Sequence, residues 1–143
     1  MPKTVISDAK GVVNSAGSGT TVSNAVTLSG AATLSNSVIF GVQAVAAAGT
    51  NQSTAAAISA TGGYVAKVSG ADNTKAVRLP SPTAGLKIVI INAAASTTLP
   101  VFPPSGAAIN GGSPDASVTI AAKAFAICIG DGTDWWVTEP PAA

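Results

Sequence analysis

Apolar and polar residues alternate in short stretches along most of this chain, and one stretch breaks that rhythm. Leu86-Lys87-Ile88-Val89-Ile90-Ile91-Asn92 is the densest β-branched run in the sequence. Leu79-Pro80-Ser81-Pro82-Thr83-Ala84-Gly85 precedes it, and the small, polar Ala93-Ala94-Ala95-Ser96-Thr97-Thr98 follows it. A short continuous apolar run framed by turn residues predicts a strand buried on both faces. The other segments read as its partners. Val38, Phe40 and Val42 recur at every second position and mark a strand over 38–45. Further strands are predicted at Tyr64–Val68, Ala76–Leu79 and Leu99–Phe102, the last stopped by Pro103-Pro104, which cannot continue a ladder. Ala107–Ile109 runs into Asn110-Gly111-Gly112, a strong tight-turn signal. Ser117–Ile120, Phe125–Ile129 and Trp135–Thr138 complete the set. Between 46 and 57, alanine favours helix, but Gly49 and the Ser/Thr cluster interrupt any helical period. That segment reads as a loop with at most a short helical turn. Many short strands with turns between them predict an all-β fold, an antiparallel β-sandwich, jelly roll or barrel.

The first 36 residues are lighter. Ala25-Val26-Thr27-Leu28-Ser29-Gly30 and Ala31-Ala32-Thr33-Leu34-Ser35-Asn36 are near-copies. Val26, Leu28 and Leu34 alternate with Thr and Ser, which suits short amphipathic strands, but two copies fall short of the roughly three repeats a solenoid needs. Gly11, Gly17 and Gly19, with serines between them, read as a flexible segment. The pattern fits either an arm that orders on a partner or a frayed terminus. The chain thus divides into an N-terminal arm, 1–45, and a C-terminal β domain, 46–143.

Composition adds a constraint. Of the 143 residues, 9% are charged and 4% aromatic, against about 25% charged in ordinary soluble domains. A net charge of +1 gives little colloidal repulsion. Such a surface is best explained if much of it is covered, by copies of the chain or by a larger assembly. Seven scattered basic residues form no patch for nucleic acid. No apolar run approaches the roughly 20 residues that span a bilayer, and Met1–Asp8 lacks the apolar core of a signal peptide.

Reactive chemistry is sparse. The chain has no histidine, which removes the usual general base, the commonest metal ligand and the histidine-dependent triads. The carboxylates Asp8, Asp72, Asp115, Asp131, Asp134 and Glu139 fall in loops or near the termini, where Asp is usually a turn-former. No catalytic residue, cofactor or metal ligand is assigned, and the chain is not read as an enzyme. Gly130-Asp131-Gly132-Thr133-Asp134 lacks the spaced acidic ligands of a calcium loop and reads as a β-turn. Gly106, Gly111 and Gly112 do not precede a helix, so no phosphate-binding loop is supported. Cys128, the single cysteine, lies in an apolar strand and reads as a buried, inert thiol. Trp135-Trp136 is the conspicuous aromatic feature. Adjacent strand residues face opposite sides, so only one indole enters the domain's own core. The other covers the outer sheet face, contacts another subunit, or stacks on a sugar.

The C-terminal pattern has a resemblance. Leu79-Pro80, Gly85 with Leu86–Asn92, Leu99-Pro100-Val101-Phe102-Pro103-Pro104-Ser105-Gly106, Ile109-Asn110-Gly111 and Trp135 are similar to a β domain recurrent in tailed-bacteriophage structural proteins. Ala48–Ala55 also resembles the lead-in of such domains, so the likeness spans residues 46–137. These proteins include capsid decoration (cement) proteins and head fibres, commonly trimers bound to the capsid exterior. The resemblance implies a virion protein on the outside of the capsid, with the major capsid protein and its own copies (a homotrimer) as partners, and with neither nucleic acid nor membrane. The alternative is a tail-fibre, baseplate or head-fibre module that recognises a host glycan. Trp135, Trp136 and Tyr64 are the candidate oligomer or partner contacts, and Val26, Leu28 and Leu34 the candidate capsid-docking residues.

Overall fold

The computed structural model describes residues 38–138. Val38 begins a compact unit, so the domain boundary expected at Ala46 falls at the end of the first strand, Val42–Ala46 (β1). Eight more strands follow: Ala56–Ala57 (β2), Val65–Ser69 (β3), Val77–Arg78 (β4), Lys87–Asn92 (β5), Leu99–Phe102 (β6), Val118–Ile120 (β7), Phe125–Gly130 (β8) and Trp135–Val137 (β9). They form a five-stranded sheet, β1-β3-β5-β8-β9, and a four-stranded sheet, β2-β4-β6-β7. The fold among the described residues is all-β.

The pairing differs from the antiparallel expectation. β1, β3 and β5 are mutually parallel, as are β2, β4 and β6, and only β7, β8 and β9 join antiparallel. The first six strands alternate between the two sheets, so the chain winds as a coil. Val42, Val65 and Val89 share one position in successive coils, as do Ala56, Val77 and Val101. Each coil therefore takes between 21 and 24 residues. Parallel strands need a crossover rather than a hairpin, and here each crossover carries a strand of the other sheet. Neither sheet closes on itself, which removes the barrel, and the coil replaces the jelly roll.

The inner faces of the two sheets make one core. Ala66, Val68, Ile88, Ile90, Cys128 and Trp135 contribute from the larger sheet, and Val77, Leu99, Val101 and Ile120 from the smaller. Alanine at 66 and 126 lets the sheets approach closely, and Trp135, fully buried, supplies the largest side chain. Its Nε1–H donates to the Pro80 carbonyl at 3.0 Å, which satisfies the indole's one polar group in the interior. Asn92 is the one buried polar residue among those described. Its Nδ2 donates to the carbonyls of Thr97 (2.8 Å), Ile120 (3.1 Å) and Ala121 (3.1 Å), and its Oδ1 accepts from the Ala94 amide. This amide ties the end of β5 to the turn between β7 and β8.

The tight turn at Asn110-Gly111 forms as its residues predict. Both have positive φ (54° and 68°), and the Gly112 amide donates to the Ile109 carbonyl at 3.0 Å, the signature of a type I′ turn. Ala107–Ile109 is not a strand, however; Ile109 makes only an isolated bridge to Trp135. Gly130 is required for another reason. A Cβ there would lie 2.7 Å from the Thr83 carbonyl oxygen, because the loop before β5 crosses directly over the end of β8.

β5 is the middle strand of its sheet, but the expectation of burial on both faces is only half met. Ile88, Ile90 and Asn92 point inward and are buried, whereas Lys87 is exposed and Val89 and Ile91 are half-buried on the outer face. No second layer of the described chain covers that outer face.

Candidate interaction surface

Strand alternation and register together specify what the outer face of the five-stranded sheet presents. One row across it reads Val42, Val65, Val89 and Ile127. The next reads Ala44, Lys67, Ile91 and Phe125. A third, on the other side of the first, holds Lys87, Ile129 and Trp136. Only Lys67 and Lys87 are charged among these eleven positions, and Phe125 (60%), Val42 (63%), Trp136 (52%) and Ile129 (41%) are substantially exposed. A sheet with one face in water normally alternates apolar-in with polar-out. This one is apolar on both sides, which in soluble proteins marks an interaction surface.

The aromatic candidates separate. Trp135 points into the core and is fully buried, so its expected role as a partner contact is corrected to a core residue: β9 alternates, and only one of two adjacent indoles can face out. Trp136 lies on the outer face. Tyr64 stands beside the start of β3 and stacks on Phe40, with ring centroids 4.3 Å apart and planes at 28°. β3 and β9 are separated by three strand spacings, about 14 Å. The three aromatics therefore do not assemble into one platform. Phe125, Ile129 and Val42 were missed as contacts because the outward parity of their strands could not be assigned from the sequence alone. Val26, Leu28 and Leu34 lie outside the described residues.

The carboxylates among the described residues serve as loop stitches. Asp72 accepts from the Thr74 and Lys75 amides, Asp115 from Gly106, and Asp134 from Ala108 at 2.7 Å. Asp131 does more. Its Oδ1 accepts from the Thr133 and Asp134 amides at 2.9 and 2.8 Å, and its Oδ2 accepts from Nε1 of Trp136 at 2.7 Å. The loop reads as the turn its sequence predicts, and it also fixes the exposed indole. The Asp134 amide, then the Trp136 N–H and the Thr133 amide, hold the Asp131 carboxyl down to about 2. These bonds favour the charged form, so their contribution is complete above the ordinary carboxylate pKa of 3.8 and is lost as pH falls from there through about 2. An NMR titration of the Trp136 indole N–H is expected to show a transition near pH 2, and Asp131→Asn is expected to abolish it. A transition near the unperturbed value would show that the Asp131 carboxylate does not keep these hydrogen bonds in solution.

Cys128 is fully buried, and burial pushes its thiol up to about 12, far from the reactive range. Among the described residues, no three acidic, cysteine or histidine side chains gather to hold a metal. On the smaller sheet, an open cleft of about 580 Å³ is lined by Gln52, Ser53, Arg78, Ser81 and Ser105 among others. Nη1 of Arg78 donates there to the Gln52 carbonyl at 3.2 Å.

No family model matches this chain, and neither a curated protein nor a solved structure matches it.

Proposed function

We propose that this chain is a structural protein of a tailed-bacteriophage virion, a decoration protein that sits as a homotrimer on the capsid exterior. The observation that carries the reading is the outer apolar face of the five-stranded sheet, which no other part of the described residues covers, in a chain with 9% charged residues. Such a face needs a cover, and a symmetric assembly on a lattice provides one. The resemblance of residues 46–137 to phage β domains supplies the setting, and the major capsid protein is the partner it implies.

In this reading the two parts of the chain divide the work. The arm, through Val26, Leu28 and Leu34, adds short strands to a sheet edge of the capsid, where main-chain hydrogen bonds provide affinity. Three arms presented together gain through effective concentration. Deleting Met1–Asn36 is expected to leave a trimer with unchanged β-type circular dichroism that no longer co-sediments with undecorated capsids. Full occupancy by the truncated protein would assign docking to the β domain, and loss of the fold would make the arm part of the trimer itself.

A host-glycan-binding module is the second reading. The cleft beside Arg78 favours it, because it offers hydroxyl and amide groups in one open concavity. It lacks an aromatic floor, however, and Trp136 lies on the other sheet. Saturable glycan binding that Arg78→Ala abolishes would support this reading over the first.

A further inference from the structure

The open cleft of about 580 Å³ lies on the smaller sheet, at the ends of β2, β4 and β6. Ala57, Arg78 and Phe102 share one register position there, and the small side chain of Ala57 leaves a hollow beside Arg78. Because Val77 pairs with Val101, Pro80-Ser81 and Pro104-Ser105 hold equivalent places in successive coils. Both steps line the cleft, so a proline ring and a hydroxyl each recur along its wall. The Pro80 carbonyl receives the core indole of Trp135 at 3.0 Å, and the Gln52 side chain donates to the Pro103 carbonyl at 3.4 Å. The fold itself sets the shape of the cleft.

Among the described residues, Arg78 is the one charged member of the lining. Its Nη1 donates to the Gln52 carbonyl at 3.2 Å, and Lys75–Asp72 is the one ion pair among the described residues. No carboxylate among them therefore neutralises Arg78. A guanidinium carries five N–H donors, and every buried side-chain nitrogen among the described residues has a partner. The donors that Gln52 does not take are accordingly accessible, on a half-buried side chain that lines the cleft. A cation held this way, with donors to spare and no counter-charge beside it, favours an anion in the adjoining space.

We propose that this cleft binds the carboxylate of an acidic sugar, with Arg78 as the charged anchor. One cation matches one negative charge, whereas a phosphate monoester near neutral pH carries about −1.5 to −2. The planar fork of the guanidinium also fits a carboxylate edge. The Ser81 and Ser105 hydroxyls can each donate to and accept from sugar hydroxyls, and the Pro80 and Pro104 rings meet the C–H face of the sugar. The volume of the cleft, about 580 Å³, lies in the range of small-ligand sites. This rests on the glycan-binding reading above rather than on the trimer, and it names the class of sugar.

NMR titration of the full-length chain tests this with acidic oligosaccharides: trigalacturonate, a hyaluronan tetrasaccharide and sialyllactose. The carboxyl-reduced forms of the first two, and lactose, are the neutral counterparts. At least one acidic oligosaccharide is expected to bind and to shift the Ser81 and Ser105 amides. Its affinity is expected to exceed that of its neutral counterpart by about tenfold or more, the effect of one charged hydrogen bond. Arg78→Ala is expected to remove that preference, and Arg78→Lys, which keeps the charge without the fork, to restore only part of it. Ala57→Leu fills the hollow and leaves Arg78 in place, so the test does not depend on Arg78→Ala folding. It is expected to weaken binding to a similar extent with unchanged β-type circular dichroism. Equal affinity for acidic and neutral sugars, or binding of neutral ones alone, would overturn the carboxylate assignment and leave the glycan reading standing. Acetate that displaces the oligosaccharide at equal concentration would overturn the sugar assignment, leaving an anion site only. Binding that neither Arg78→Ala nor Ala57→Leu alters would place the sugar outside this cleft. No binding of any of these sugars would remove the glycan reading together with the proposal.

Discussion

Ile90→Asp is expected to leave the chain unfolded. Ile90 is fully buried in β5, and its row neighbours are Ala66 on β3 and Ala126 on β8, both also fully buried. Neither offers a hydrogen bond to a carboxyl group, and the facing sheet contributes Val77, Leu99 and Val101 to the same core. A carboxylate there loses its hydration with no partner in return, and protonating it still leaves an unpaired hydroxyl. The cost is several kcal/mol, a large share of the roughly 5–15 kcal/mol that stabilises a domain. Ile90→Val removes one methylene and is expected to cost only about 1 kcal/mol, so it serves as the control for position. Circular dichroism and urea unfolding separate the outcomes. An Ile90→Asp protein with a normal melting temperature would mean that the β5 inner face is not in the core.

The strands were legible in the sequence because their residues carry local signals. The β-branched run at 86–92, the proline pair after Phe102 and the Asn110-Gly111 turn each act within a few residues, and each lies where the pattern puts it. The way the strands join was not legible. Turn residues between short strands suggest hairpins, yet Gly70, Asn73 and Gly85, all at positive φ, serve crossovers that carry the chain to the other sheet. The coil also hides as a repeat. Its period varies from 21 to 24 residues, and equivalent positions hold residues as unlike as Ala57, Arg78 and Phe102, so no fixed spacing recurs. β2, only two residues long, sits in an alanine run without a period of either kind.

The candidate surface was half legible for a related reason. A continuous apolar run correctly marks a strand with apolar residues on both faces. It does not say whether the second cover comes from the same chain. Val89 and Ile91 on β5, with Ile127 and Ile129 on β8, are the residues such a run places outside, and low charge over the whole chain points to covering them. The sequence also leaves open which indole of Trp135-Trp136 faces out. Packing decides it, because the Pro80 carbonyl receives Trp135 inside and Asp131 receives Trp136 outside.

Asn92→Asp is expected to destabilise the domain by about 3–6 kcal/mol, although it changes shape hardly at all. In the coil register, Asn92 follows Val45 and Val68, so a polar side chain occupies an inward position that is apolar in the two earlier coils. It is tolerated because every polar atom is used. Three carbonyls, of Thr97, Ile120 and Ala121, receive the amide N–H groups, and the Ala94 amide donates to Oδ1. A carboxylate has no N–H, so it would leave the three carbonyls without this donor and set a negative charge against them. Each buried group left unsatisfied costs about 1–3 kcal/mol. Asn92→Leu strips the same donors without adding charge, so urea unfolding is expected to rank wild type above Asn92→Leu, and that above Asn92→Asp. The pH dependence separates charge from shape. Burial raises the carboxyl pKa of the introduced Asp above its unfolded value near 3.9, so the folded state binds the extra proton first. Stability relative to wild type is therefore expected to recover as pH falls towards 4 and to worsen as it rises. A pH-independent deficit would mean that the carbonyls alone account for the loss. A deficit under about 1 kcal/mol at pH 7 would mean that water replaces the amide, and that the β7–β8 turn is not held by Asn92.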